Sequence, residues 1–312
     1  MSEHTSDSAV LASPSTLAGA ENSASRIAYR VGGISFGVNS GKDMRLSLEP
    51  GIFEFEVRDT VCDVEIDADW ATHLRMPAGK PLFESRGLWS AFKEDGGTAF
   101  YFRTDFLGEA PYKYAWFNHD FSRGRVHLLK RYFDPELPLY PLEYPLDELL
   151  MIHRISRGEG AEVHACGVVM PDGVGRLFIG HSGAGKSTTS RLWMAREGAS
   201  VLSDDRIILR MANGTPFMYG TPWHGDAGLA AQASARVDRI YLLEHSPANR
   251  ITKLDAARAA AELFARTFVP HHDATSLRHT LEFLETLTEK VSVSRFEFLP
   301  NDSAIEEILR AH

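Results

Sequence analysis

Two short runs of this sequence have residue types that could do chemistry together. The first, Gly180-His181-Ser182-Gly183-Ala184-Gly185-Lys186-Ser187, matches G-x-x-x-x-G-K-[ST] in full, with Thr188 directly after it. Glycines let a backbone curl until several N–H groups point inward at phosphate oxygens. A helix opening at the end of such a loop adds positive potential. Lys186 would neutralise β- and γ-phosphates, and Ser187 would offer a hydroxyl to Mg²⁺. A glycine-rich turn that binds nothing is the alternative. The apolar strand Leu177-Phe178-Ile179 before the run and the helix-forming residues after it favour the phosphate reading. The expected ligands are therefore ATP, or a similar nucleotide, and Mg²⁺.

The second run is Ser203-Asp204-Asp205-Arg206, at the end of the apolar stretch Ala199–Leu202. A strand that follows a phosphate-loop helix and ends in Asp is a usual place for the carboxylate that holds Mg²⁺, and this strand is expected beside the phosphate-loop strand. Two adjacent carboxylates can divide the work, one holding the metal and the other accepting a proton from an attacking hydroxyl. An acidic turn between two strands is the plain alternative. Asp204, with Ser187, is the expected metal partner, but the sequence leaves open which Asp is the base. His164 lies on the strand before the phosphate loop, where a lone His in an apolar strand is more often structural. Arg206 and the loop Thr221-Pro222-Trp223-His224-Gly225 are candidates to read a substrate or cover the phosphates. Trp223 in that loop would serve equally well to close the core.

The surrounding elements must position these groups. From Arg26 the chain shows short alternating runs, Ile34–Val38 and Ile52–Val57, then Ala99–Arg103, Tyr112–Phe117 and Arg125–Leu129. They predict a mostly β domain over 26–133. Pro135, Pro138, Pro141 and Pro145 mark a linker over 134–145. Beyond it, helix Leu146–Arg157 and strands Val163–Met170 and Arg176–Ile179 precede the loop. A helix over Lys186–Glu197 and strands Ser200–Ser203 and Arg206–Met211 follow it. A hairpin at Asn213-Gly214 leads to Pro216–Tyr219, and Val237–Leu243 reads as the next strand. Helices Asp255–Phe268 and Ala274–Lys290, a strand Val291–Phe298 and a final helix from Ser303 complete an α/β nucleotide-binding domain over 146–312.

The 312 residues are enough for two domains, and the formal charge of -9 argues against nucleic acid as the main partner. Cys62 and Cys166 form no CxxC pair and no disulfide framework. Residues 1–25 carry Glu3 and Asp7 but no Lys or Arg, so they read as a disordered leader rather than a signal peptide. No apolar run approaches a membrane span. The expectation is a cytoplasmic protein without membrane or nucleic-acid partners, its oligomeric state open.

His164-Ala165, the loop 180–187 and Ser203–Arg206, in this order and at these separations, resemble the catalytic domain of HPr kinase/phosphorylase. More distantly they are similar to ATP-dependent phosphoenolpyruvate carboxykinase. The resemblance covers about residues 146–245. It implies an α/β P-loop kinase domain of the HPr kinase/phosphoenolpyruvate carboxykinase type, preceded by a mostly β N-terminal domain. It also implies His164 as a partner of the phosphates or the base, Lys186 and Ser187 at phosphates and metal, and Asp204 and Asp205 as metal ligand and base. Thr188 stands where HPr kinases carry an acidic residue, and Tyr219–Gly225 replaces their glycine-rich signature. The implied activity is transfer of the γ-phosphoryl of ATP to a hydroxyl, a Ser of a protein or peptide other than HPr. A small-molecule kinase, a carboxykinase-like enzyme and a nucleotide-gated binding module are the competing readings.

Overall fold

The computed structural model describes residues 25–41, 43–58 and 61–311. The expected leader over 1–25 therefore lies almost wholly outside the described residues. Strands β1 (Arg26–Val31), β2 (Ile34–Ser40), β3 (Val64–Ala71), β4 (Phe83–Ser85), β5 (Trp89–Glu94), β6 (Gly97–Thr104), β7 (Gly108–Phe117) and β8 (Arg123–Leu129) form the first sheet. Its order is β1-β2-β3-β8-β7-β6-β5-β4. Gly32 and Gly33 turn β1 into β2 with φ of 58° and 74°, the conformation a two-residue hairpin needs.

The expected strand Ile52–Val57 is a 3-10 helix over Pro50–Phe55 instead. Pro50 pre-sets the first turn, and Ile52 and Phe55, three apart, are the two side chains it buries. A run of Ile, Phe and Val separated by Glu is compatible with both periods, and packing decides between them.

Helix α1 (Leu146–Ile155) leads into the second sheet. This holds β9 (Ala161–Val169), β10 (Val174–Ile179), β11 (Ser200–Ser203), β12 (Arg206–Ala212), β13 (Thr215–Gly220), β14 (Ser234–His245), β15 (Arg250–Lys253), β16 (Thr267–Phe268) and β17 (Ser292–Phe298). Helix α2 (Lys186–Met194) follows the phosphate loop. Helices α3 (Ala256–Phe264), α4 (Ala274–Lys290) and α5 (Asp302–Arg310) intersperse the later strands. The sheet is mixed: β10 runs parallel to β14 and antiparallel to β9, and β14 runs parallel to β17.

Asn213 and Gly214, with φ of 50° and 75°, close the β12–β13 hairpin in register as their types demand. The helix expected over Asp255–Phe268 stops at Phe264. Asp255 caps it by accepting the Arg258 N–H, and Thr267–Phe268 becomes a short strand on β9. Asp273 caps α4 in the same way through the Thr275 N–H.

One hydrophobic cluster spans the boundary between the sheets. Phe36, Ile66, Phe100 and Val126 of the first sheet pack with Leu146, Leu150 and Ile155 of α1, and with Ile208 and Trp223 from the second sheet's side. Trp223 is buried there and its Nε1–H donates to Asp147 Oδ2 at 3.0 Å, while Asp147 Oδ1 accepts the Glu148 N–H. Burial raises the Asp147 carboxyl from 3.8 to about 7, against the pull of those two hydrogen bonds. Between these values the folded protein holds a proton that the unfolded chain has released, so rising pH costs about 1.4 kcal/mol per unit and the loss ends near pH 7. Asp147→Asn keeps an oxygen for Trp223 and removes the titration. Urea melts at stepped pH should show the variant gaining on the parent from pH 4 to 7, by at most about 4 kcal/mol, and then levelling. Parallel curves would mean that this carboxyl titrates normally.

Candidate nucleotide and phosphoryl-transfer site

Strand β9 brings the two sequence runs together. At its centre His164 pairs with Arg206 of β12, and Ala165 pairs with Ile179 of β10. The His164 carbonyl accepts the Gly180 N–H at 3.3 Å, and the Ala165 N–H donates to the Asp205 carbonyl at 3.0 Å. One peptide unit of β9 thus ties the start of the phosphate loop to the acidic turn. The strand Ser200–Ser203, expected beside the phosphate-loop strand, does not pair with it. It pairs with β9, which lies between the two.

The loop runs from the end of β10 into α2. Gly183 and Gly185 take φ of 80° and 99°, and a Cβ on Gly185 would meet the Phe298 ring at 2.6 Å. Only glycine suits that position. Lys186 is buried, and its ammonium donates to the carbonyls of Gly180 at 3.1 Å and His181 at 3.2 Å. Burial lowers its pKa below 10.5, and nearby Asp205 opposes that shift. Ser182, Gly183, Gly185, Lys186, Ser187 and Thr188 line one side of a cleft of about 560 Å³. Gly180, His181 and Ala184 complete the turn behind them, with the Ala184 N–H donating to the His181 carbonyl.

Asp205 faces the same cleft. His164 Nε2, as donor, sits 2.7 Å from its Oδ1, and the Lys186 ammonium is 4.0 Å from that oxygen. Arg206 Nη1 pairs with Oδ2. Burial alone would raise the Asp205 carboxyl, but the His164 hydrogen bond and the charges of Arg206 and Lys186 outweigh it and hold it below 3.8. Arg206 is anchored in turn: its Nε donates to Glu148 at 2.7 Å and stands 3.7 Å from Glu162, and its guanidinium lies 4.2 Å over the Phe268 ring. Burial, reinforced by Glu148, pushes the Glu162 carboxyl well above the usual range.

Asp204 departs from its expected place at the metal. It is fully buried, and its carboxylate accepts the N–H groups of Gly225 at 3.1 Å, Ala227 at 2.9 Å and Leu229 at 3.4 Å. These bonds use its oxygens to hold the 225–229 loop, and it is absent from the cleft lining. The Gly225 backbone comes so close that a Cβ there would lie 3.0 Å from Asp204 Oδ2.

The lid candidates separate likewise. Thr221 is buried, its hydroxyl donating to the Arg206 carbonyl, so it shapes the turn, and Trp223 belongs to the core. His224 is exposed and lines a second cavity that shares Asp205 and Arg206 with the cleft. Among the residues that sequence reasoning missed is His245, whose ring stacks on Phe298 within hydrogen-bonding reach of the Gly183 carbonyl. Its signal was position: it ends a strand parallel to the phosphate-loop strand, where open α/β sheets bind ligands. Phe268, Glu148 and Glu162 carried no spacing that marked them.

Against known proteins, a family model described as an AAA domain matches residues 176–270, which take in most of β10, the phosphate loop and Asp204-Asp205. No curated protein matches the chain. Among solved structures, the Hpr(Ser) kinase/phosphatase from Coxiella burnetii is similar at 19% identity and a TM-score of 0.28, over 48% of this chain and 95% of that one. The matched model and the mixed sheet agree on an α/β nucleotide-binding fold of the P-loop type. No helix among the described residues is long and apolar enough to cross a membrane.

The geometry of Asp204 carries a prediction. Asp204→Ala leaves a cavity and three part-buried N–H groups without their acceptor and should cost about 2–4 kcal/mol of stability. Amide exchange at Gly225, Ala227 and Leu229 should accelerate with it. Unchanged exchange together with lost Mg²⁺ affinity would return Asp204 to the metal.

Proposed function

We propose that this chain is a P-loop phosphotransferase of the HPr-kinase-like kind, using ATP and Mg²⁺ to phosphorylate a hydroxyl, a Ser of a protein or peptide. One observation carries the reading. The Asp205 carboxylate sits beside the phosphate-loop lysine, hydrogen-bonded to His164 and clamped by Arg206.

The donor set suits the implied ligands. The curled backbone and Lys186 fit phosphate oxygens. The Ser187 hydroxyl and the Asp205 carboxylate are hard oxygen donors on one cleft, the kind Mg²⁺ takes, with room for water between. Ser187 directly and Asp205 through water would hold the ion, which when bound neutralises charge on the β- and γ-oxygens. In this reading Asp205 accepts the proton of the acceptor hydroxyl as the new O–P bond forms at the γ-phosphorus and the bond to the β-phosphate oxygen breaks. His164 orients the carboxylate and stabilises its charge. Lys186 moves from its loop carbonyls to the phosphates. Catalysis then rests on positioning and electrostatics, as phosphoryl transfer requires.

Asp205 is held below 3.8, so it is ionised throughout the neutral range, and its acid limb should fall below pH 4. Labelled ATP and candidate Ser peptides test the proposal. Asp205→Asn should lower kcat by about 10²–10⁴-fold, with a much smaller loss of Mg-ATP affinity from the water-mediated contact to the ion. Lys186→Ala should abolish nucleotide binding itself. Transfer undiminished in Asp205→Asn would remove the assigned base, and a folded protein that ignores Mg-ATP in calorimetry would end the kinase reading.

A further inference from the structure

Beside the phosphate cleft lies a second cavity, of about 330 Å³, whose wall on the cleft side is Asp205 and Arg206. Its other walls come from three parts of the chain. Glu49 and Ile52 belong to the 3-10 helix region of the first sheet's side, Tyr144, Asp147 and Glu148 to the start of α1, and Trp223 and His224 to the loop after β13. A group in this cavity reaches Asp205 across a wall that carries no phosphate-loop residue, so an acceptor hydroxyl can approach the base without entering the phosphate cleft.

The charges here are unbalanced. Arg206 is the one Arg or Lys on the cavity's wall, and its guanidinium is shared among Asp205, Glu148 and Glu162. Glu148 is more than nine-tenths buried and lines the cavity. Its Oε1 accepts from Arg206, and its carboxylate also interacts with the Tyr144 hydroxyl at the cavity's rim. Glu162, fully buried behind Glu148 and off the cavity's wall, is pushed towards its neutral form by that burial and adds no charge to the lining. Glu49 meets no cation within ion-pair distance among the described residues, since Lys113 is already paired with Glu143. Glu49 and Glu148 thus face the cavity beside Asp205 with a single guanidinium among them, a lining that a ligand cation with N–H donors complements. Ile52 and Trp223 supply an apolar floor for the stem of a long basic side chain. Tyr144, largely exposed at the edge, offers a ring to the flanking chain.

We infer that this cavity is the acceptor subsite, and that it takes a peptide Ser whose neighbour in sequence is Arg or Lys. The inference rests on the phosphotransferase reading for the role of Asp205, but its recognition chemistry stands on the cavity alone. The Ser hydroxyl faces Asp205, and the neighbouring cation lies between Glu49 and Glu148 over Trp223.

Binding separates this inference from the activity it serves. Two short synthetic peptides are compared, one carrying a single Ser flanked by Arg and its twin flanked by Glu. Each is titrated by calorimetry into the full chain with Mg²⁺ and a non-hydrolysable ATP analogue. The Arg peptide should bind at least about tenfold more tightly. Glu49→Lys should erase or reverse that preference, and Glu148→Gln should weaken it, with analogue affinity and melting temperature reporting an intact fold. Glu49 is exposed, so its replacement leaves the core alone. Equal binding of the twins, tighter binding of the Glu peptide, or a preference indifferent to Glu49→Lys overturns the inference. Phosphate transfer without charge preference would sink the subsite and spare the kinase. Charge-selective binding without transfer would do the reverse.

Discussion

The candidate site depends on the backbone of β9 at His164-Ala165. Four bonds converge there. The His164 carbonyl takes the first N–H of the phosphate loop, the Ala165 N–H reaches the Asp205 carbonyl, the His164 N–H reaches the Arg266 carbonyl, and the imidazole meets the Asp205 carboxylate. Strand β9 is flanked by β10 and, further along the same edge, β16 on one side, and by β11 and β12 on the other. Everything chemical hangs from those neighbours: the loop from β10, the acidic turn from the β11–β12 junction, and Phe268 from β16. Because strand pairs keep register, a slip of β9 by one residue would turn His164 to the other face and part the loop from Asp205. The apolar β9 side chains Val163, Ala165 and Cys166, all fully buried, hold that register.

Around this frame the electrostatics are economical in cations. One guanidinium serves Asp205, Glu148 and Glu162 while stacked on Phe268, and one ammonium stands by its own loop carbonyls. Fixing Arg206 from behind keeps its charge beside Asp205, so the carboxylate stays ionised although half buried. A preorganised arrangement of this kind needs no reorganisation when charge develops, which is where such sites draw most of their effect. The same scarcity of cations leaves the neighbouring cavity acidic.

Much of this was legible in the residues. The phosphate loop, its helix, the Asn213-Gly214 hairpin and the span of α4 follow from local rules that tertiary packing does not override: positive φ at glycine and asparagine, and a cap at Asp273. What escaped did so for physical reasons. Ile52 and Phe55 suit a strand or a tight helix, and only burial chooses. Nothing local ends a helix at Phe264; the edge of β9 at Glu162-Val163, which β10 does not reach, claims Thr267 and Phe268 as partners. Glu148 and Glu162 reach Arg206 from sequence distances of 58 and 44 residues, and no periodicity reports such a contact.

The acidic pair shows why adjacency in sequence left the roles of its members open. Where one strand ends and the next begins, successive side chains leave the backbone on opposite sides. Asp204 therefore points into the protein, where three amide donors of the 225–229 loop meet it, and Asp205 points into the cleft. The buried carboxylate fixes the loop whose close approach requires Gly225, and that loop, through Trp223 and His224, forms one wall of the cavity next door. Each acid thus acts on the same small volume from a different side, one by building its wall and the other by facing into it. Exchanging the two roles would require rotating the β11–β12 junction by one residue, which the Ala165–Asp205 and His164–Arg206 pairings forbid.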